Sequence, residues 1–150
     1  MTFIFSKLNL KDQAEILVVS PPDSFESELS ALTGISVLRD VREARKITFV
    51  LAFVMKQEQV DAISQAISEK AEGDAVVWFA YPKGTSKKYK CDFNRDSGWE
   101  VMGKAGFERV RQVAIDEDWS ALRFRRVEFI KTMQRRESFA LTKEGKAKTK

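Results

Sequence analysis

Residues 75–90 read AVVWFAYPKGTSKKYK, seven apolar residues without a polar break and then, at once, a loop holding four lysines. A strand with one wet face alternates apolar and polar residues, whereas an unbroken Val, Trp and Phe run is covered on both faces, as in parallel sheets sandwiched between helices. Two further runs, Ile16 to Val19 and Ile47 to Met55, have the same texture. The segments between them carry helical periodicity. Asp23 or Ser24 is placed to cap a helix through Leu32, with Phe25, Leu29 and Leu32 on one face and Gly34 at its end. Glu58 to Ala71 is the clearer helix, with Val60, Ile63, Ala66 and Ile67 as its stripe and Gly73 as the stop.

Outward from these, Ile35 to Asp40 is a short strand candidate and Ser97 to Gly106 a short helix. Phe107 to Ile115 and Leu122 to Phe129 read as two more strands. The acidic turn Asp116 to Ser120 between them is too short for a crossover, so the two pair antiparallel. The expected fold is therefore α/β and three-layered: a mostly parallel sheet of about six strands with an antiparallel C-terminal hairpin. Residues 1–132 form one domain, with residues 1–14 as a small N-terminal extension. Residues 133–150 form a basic tail without apolar period, expected to be disordered.

The chain has 150 residues, 43% of them hydrophobic and 32% charged, within the range of one globular domain. No apolar run approaches the roughly 20 residues of a membrane span, and the N-terminus has no secretory pattern, so a cytoplasmic protein without membrane association is expected. The sequence contains no histidine and a single cysteine, Cys91. That excludes an intrachain disulfide and imidazole-dependent triads, and leaves no ordinary zinc ligand set. The net charge is +4, but the last eight residues carry three of those charges, which leaves residues 1–142 close to neutral. Nucleic-acid binding is thus an alternative carried by local clusters rather than by the whole surface.

The texture DAVVWFAYPKG, then GWEVMGKAGFERVRQVAIDEDWSALRFRR, resembles the second half of the class I methyltransferase fold, a Rossmann-like architecture. There a strand ending in a Pro-Lys or Pro-Gly loop is followed by a helix, a Gly-Phe turn and a closing hairpin. The set VVSPPDSF, WFAYPKGTSK, RDSGWE and IDEDWSALRFRR is similar to a family of small bacterial proteins classed as a domain of unknown function, over about residues 14–130. The resemblance implies the fold and no particular activity. It also implies that Asp40, ending the second strand, stands where the methyltransferases keep an acid for the ribose hydroxyls of S-adenosylmethionine. The chain departs from them after the first strand, where Ser20-Pro21-Pro22 replaces a glycine-rich turn. Proline removes N–H donors and fixes φ, so the expectation is a degenerate relative without a cofactor, S-adenosylmethionine-dependent methyl transfer being the alternative.

Ligands of open α/β sheets bind at the carboxyl ends of the parallel strands, here Ser20 to Ser24, Met55 to Gln57 and Tyr81 to Lys90. The lysine loop falls on that edge. Lys83, Lys87, Lys88 and Arg95 are candidates to surround an anionic small molecule or partner protein, with Lys90 beside them and Gly84, Thr85 and Ser86 as donors. A solvated, lysine-rich loop is the competing reading. Arg109, Arg111, Arg123, Arg125 and Arg126 make a second basic cluster on the hairpin, either paired with acids or facing a phosphate-bearing partner. Trp78, Trp99 and Trp119 are core candidates, although each has a ring able to stack on a ligand. Asp23, Asp92 and Asp96 share no face that would make an acid–base pair. Cys91 beside Lys90 is either an activated thiol or a small core residue. No catalytic residue is assigned, and the oligomeric state stays open.

Overall fold

The structure, a computed structural model, describes residues 3–93 and 97–130. Its helices are α1 (Phe3–Lys7), α2 (Glu26–Ser30), α3 (Gln57–Lys70) and α4 (Glu100–Lys104). The strands are β1 (Glu15–Val19), β2 (Ser36–Leu38), β3 (Ile47–Phe53), β4 (Ala71–Pro82), β5 (Phe107–Ala114) and β6 (Trp119–Arg126). They form one six-stranded sheet in the order β2-β1-β3-β4-β6-β5. β1 pairs parallel with β2 and β3, and β3 pairs parallel with β4. β6 is antiparallel to both β4 and β5, so it alone runs against the sheet. Both faces are covered, as the unbroken apolar runs require. Val50, Ala52, Val77, Phe79 and Phe124 join Val60, Ile63 and Ile67 of α3 on one side. Phe49, Leu51, Phe53, Trp78 and Ala80 join Phe5, Phe25 and Leu29 on the other. Each fully buried large aliphatic or aromatic side chain stabilises the fold by about 1.5–3 kcal/mol.

Several boundaries differ from the sequence expectation, each for a local reason. The helix expected over Asp23 to Leu32 is a 3-10 turn, Asp23–Phe25, running into the five-residue α2. Neither Asp23 nor Ser24 caps it, because Pro22 and Phe25 occupy the two cap positions, without side-chain bonds. α3 stops at Lys70 rather than at Gly73, since Ala71 is already extended and begins β4. Gly73, at φ +56°, instead lies inside β4, where the pairing with β3 slips between Ile47 and Phe49. The acidic turn is shorter than expected. Trp119 and Ser120 belong to β6, and Asp116 accepts from the backbone N–H groups of Asp118 and Trp119, both at 2.8 Å. A carboxylate that closes a turn this way brings the next strand forward. At the other end β6 stops at Arg126, and Val127–Phe129 is a 3-10 turn.

The N-terminal segment is part of a layer, not an appendage. Phe5, Leu8 and Leu10 are buried, the Trp78 indole donates to the Leu8 carbonyl at 2.7 Å, and Lys7 Nζ donates to the Ala114 carbonyl at 2.9 Å. The predicted basic tail lies outside the described residues. Among those described, no helix is long and apolar enough to cross a membrane.

Candidate functional site

The strand order places one crevice. From β1 the chain passes through α2 to β2, on one side; from β3 it passes through α3 to β4, on the other. β1 and β3 are neighbours whose connections diverge, so the space beyond their carboxyl ends is not closed by a crossover. Three short segments border it: Ser20 to Pro22 after β1, Arg39 to Asp40 after β2, and Val54 to Lys56 after β3.

Ser20 is exposed and has φ +52°. A non-glycine residue in the left-handed region costs about 1–2 kcal/mol, so this turn keeps the backbone path of a glycine without the glycine. Pro21 and Pro22 then contribute no N–H, and the Pro22 carbonyl accepts from Phe25 N at 2.9 Å. Asp40 accepts from Arg42 N at 2.8 Å, Arg42 Nε at 3.1 Å and Arg42 Nη2 at 2.7 Å. These bonds, with the Arg42 charge, hold its carboxyl down to about 2. Three bonds leave part of a carboxylate's acceptor capacity unused, and the side chain is 39% exposed. Arg39 braces the border, donating to both carboxylate oxygens of Glu26 at 2.7 and 2.9 Å. On the β3 side Met55 is 37% exposed, one of two large apolar side chains so open among the described residues. Its backbone is fixed by Gln59 Oε1, which accepts from Met55 N at 2.7 Å and Lys56 N at 3.0 Å.

The lysine loop lies one strand further on, after β4. Lys83 N donates to the Asp118 carbonyl at 2.8 Å and Ser86 Oγ to Asp118 Oδ1, also at 2.8 Å. Ser86 Oγ accepts in turn from Lys88 N and Tyr89 N at 3.3 and 3.1 Å. The base of the loop is thus tied to the hairpin turn. Tyr89 packs on Trp119 with ring centroids 5.0 Å apart, Trp119 on Phe53 at 5.1 Å, and Phe53 on Phe25 at 5.0 Å. Gly84 and Thr85 are exposed, and the Lys83, Lys87 and Lys88 ammonium groups meet no carboxylate among the described residues. Lys88 Nζ stands 5.5 Å from the Tyr89 ring centroid. Arg95 and Asp96 lie outside the described residues.

The rest of the loop roofs the ends of β3 and β4. Asp92 N donates to the Met55 carbonyl at 3.1 Å, and Asp92 Oδ1 accepts from Gln57 N, the first residue of α3, at 2.9 Å. A carboxylate at that position satisfies an orphan N–H and opposes the helix dipole. Gln57 Nε2 donates to the Gly98 carbonyl at 2.7 Å. Phe93 packs against Tyr81 and Trp99 at 6.1 and 5.0 Å. Trp78, Trp99 and Trp119 are all core residues, 0%, 1% and 3% exposed. Burial pushes the Cys91 thiol up rather than down, which makes it a poorer nucleophile than the activated-thiol alternative needs. Two further cavities, of about 580 and 350 Å³, open at the opposite edge of the sheet, lined by residues such as Glu43, Arg45, Lys70 and Glu72 in one and Lys11 and Thr33 in the other.

A sheet of this order, with one antiparallel strand inserted beside the edge, is a methyltransferase-like α/β fold. Among solved structures, the chain is similar to an S-adenosylmethionine-dependent methyltransferase from Aquifex aeolicus, with a TM-score of 0.54 and 13% identity over 82% of this chain and 87% of that one. It is also similar to an N-methyltransferase from Bradyrhizobium japonicum, with a TM-score of 0.51 and 12% identity over 81% and 91%. A magnesium protoporphyrin IX methyltransferase from Synechocystis, solved with bound S-adenosylmethionine, gives 0.50 and 10% over 83% and 74%. At such identities the likeness is one of fold. No family model matches the chain, and no curated protein matches it.

The sequence placed Asp40 and the lysine loop on one edge, and the structure puts them on opposite sides of the crevice. It did not single out Ser20 as a conformational substitute for glycine, because a serine carries no mark of positive φ. Met55 was legible as the end of an apolar run on the ligand-binding edge, but not as an exposed side chain there.

Proposed function

We propose that the chain binds an S-adenosyl ligand in the crevice between the ends of β1 and β3, and that its activity is methyl transfer. The carrying observation is Ser20 at φ +52°, which preserves the tight turn beside an open carboxylate at the end of β2. Pro21 and Pro22 remove the amides that a dinucleotide's pyrophosphate would need, but S-adenosylmethionine has no phosphate. Its recognition calls for an acceptor for the ribose hydroxyls, which Asp40 supplies, and an apolar shelf for the base, which Met55 supplies. Its sulfonium is a built-in leaving group, so methyl transfer to a nucleophile already deprotonated or neutral needs no histidine, consistent with a chain that has none. The resembled small bacterial family would then share this ligand.

Isothermal titration with S-adenosylhomocysteine tests the reading. Saturable binding is expected, weakened about tenfold or more in Asp40→Ala, since hydrogen bonds to charged groups contribute about 1.5–3 kcal/mol. Absence of binding to both S-adenosylmethionine and S-adenosylhomocysteine, or equal affinity in the variant, would contradict it.

A second reading rests on three lysines that have no carboxylate partner among the described residues. Lys83, Lys87 and Lys88 would attract an anionic small molecule or the acidic surface of a partner to the same edge, with Thr85 as a hydroxyl donor. Replacing the three by glutamine should abolish anion binding there and leave S-adenosylhomocysteine affinity unchanged.

A further inference from the structure

The hairpin arginines separate into answered and unanswered charges. Arg125 donates to both oxygens of Asp74 at 2.8 and 2.6 Å. Arg126 turns to the other face, where it lies 4.9 Å from the Phe107 ring centroid and donates to the Ala71 carbonyl at 2.8 Å. Arg109 is buried and engaged as well, which leaves Arg111 and Arg123 among the described residues. They are register partners across β5 and β6, and directly opposite residues of an antiparallel pair share one face of the sheet. Like charges directly opposite destabilise a ladder, so this pair needs a reason.

Arg123 is half-buried, and its Nε is buried without an acceptor among the described residues. Burial, with repulsion from Arg125 and Arg111, pushes its pKa down, against a partial correction from Asp74. Asp74 is already held by Arg125, and Glu108 stands opposite Arg125, a rung away. A slip in register between Arg109 and Arg111 sets this arrangement. With Val110 as the extra residue, Arg111 is re-aimed to stand beside Arg123, the re-aiming that bulges provide near sites. The pair lies midway along the last two strands of the sheet, Arg123 in register with Trp78, away from the crevice at the strand ends.

We propose that Arg111 and Arg123 form a phosphate-binding clamp on the face of the β5–β6 hairpin. One tetrahedral oxyanion between the two guanidinium groups would accept from both and neutralise the repulsion. The phosphate is that of a free phosphorylated metabolite or of a polynucleotide backbone. Arginine forks match the geometry of either.

The test follows the arginine Nε–Hε resonances of the full chain by NMR while inorganic phosphate, and separately a short single-stranded RNA, is added at constant ionic strength. A saturable shift of the Arg123 signal is expected with phosphate. It should be absent in Arg111→Gln, which should raise the thermal midpoint by relieving repulsion, and should persist when Lys83, Lys87 and Lys88 are glutamine. Tighter response to RNA identifies a polynucleotide source; response to phosphate alone identifies a metabolite. No saturable shift with either ligand, an equal shift with chloride, or full binding in Arg111→Gln would overturn the proposal.

Discussion

The carboxyl edge of this sheet has two unlike halves. Over β3 and β4 it is roofed: Asp92 closes the start of α3, Ser86 and Lys83 are tied to Asp118, and Phe93 and Trp99 seal the aromatic layer beneath. Over β1 and β2 it is bare, with an exposed serine in a left-handed turn and a carboxylate that, among the described residues, is bonded by its own neighbour Arg42 alone. The roofed half is held by many mutually dependent contacts, whereas the bare half has one strained backbone position and the exposed pairs Arg39–Glu26 and Arg42–Asp40. Removing a contact from the first should therefore unfold, and altering the second should change binding.

The largest effect is expected at Trp99, whose ring centroid lies 5.0–5.9 Å from those of Phe79, Tyr81, Phe93 and Phe124. Trp99→Ala should cost about 3–5 kcal/mol in denaturant unfolding; a loss below about 1 kcal/mol would mean that the roof is not anchored there. Gly98 comes next, at φ +91° with a methyl group placed 2.4 Å from Gln57 Oε1. Gly98→Ala should cost about 1–3 kcal/mol, and hydrogen exchange should show the Gln57 amide opening with it. On the bare side Ser20→Val should cost about 1–2 kcal/mol and weaken S-adenosylhomocysteine binding, because a β-branched residue resists positive φ. Ser20→Gly should change stability by less than about 1 kcal/mol and leave that binding intact or tighter.

The smallest effect is a titration. The Asp40 carboxyl has its pKa depressed below the ordinary carboxylate value, to about 2. Its contribution is therefore fully present above about pH 4 and is lost as pH falls through about 2. Because the pair is exposed, the loss is expected to be slight, and Asp40→Asn should flatten that acid limb in a pH series of unfolding midpoints.

Much of the fold was legible because burial on both faces writes itself into composition: Ile47 to Phe53 and Ala75 to Tyr81 contain no polar residue beyond Thr48. α3 was legible because a long amphipathic stripe repeats. The bounds and caps of α2 were not, since a five-residue helix after two prolines is held by Phe25 and Leu29 against the sheet rather than by caps. Strand order was hidden as well. Nothing in residues 107–126 says that β6 inserts between β4 and β5, because that choice depends on which strand of the hairpin sets its side chains beside Phe79 on one side of the sheet and Trp78 on the other, here Leu122 and Arg123. The candidate site was partly legible for the same reason. Charge and turn chemistry marked the lysine loop, whereas the crevice is a consequence of strand order and of one dihedral angle.

The most direct measurement is amide chemical-shift mapping during titration with S-adenosylhomocysteine. Saturable shifts are expected at Ser20, Arg39, Asp40, Val41 and Met55, with the Lys83 to Lys88 amides nearly still. Shifts confined to Lys83 to Lys88, or none anywhere, would contradict it.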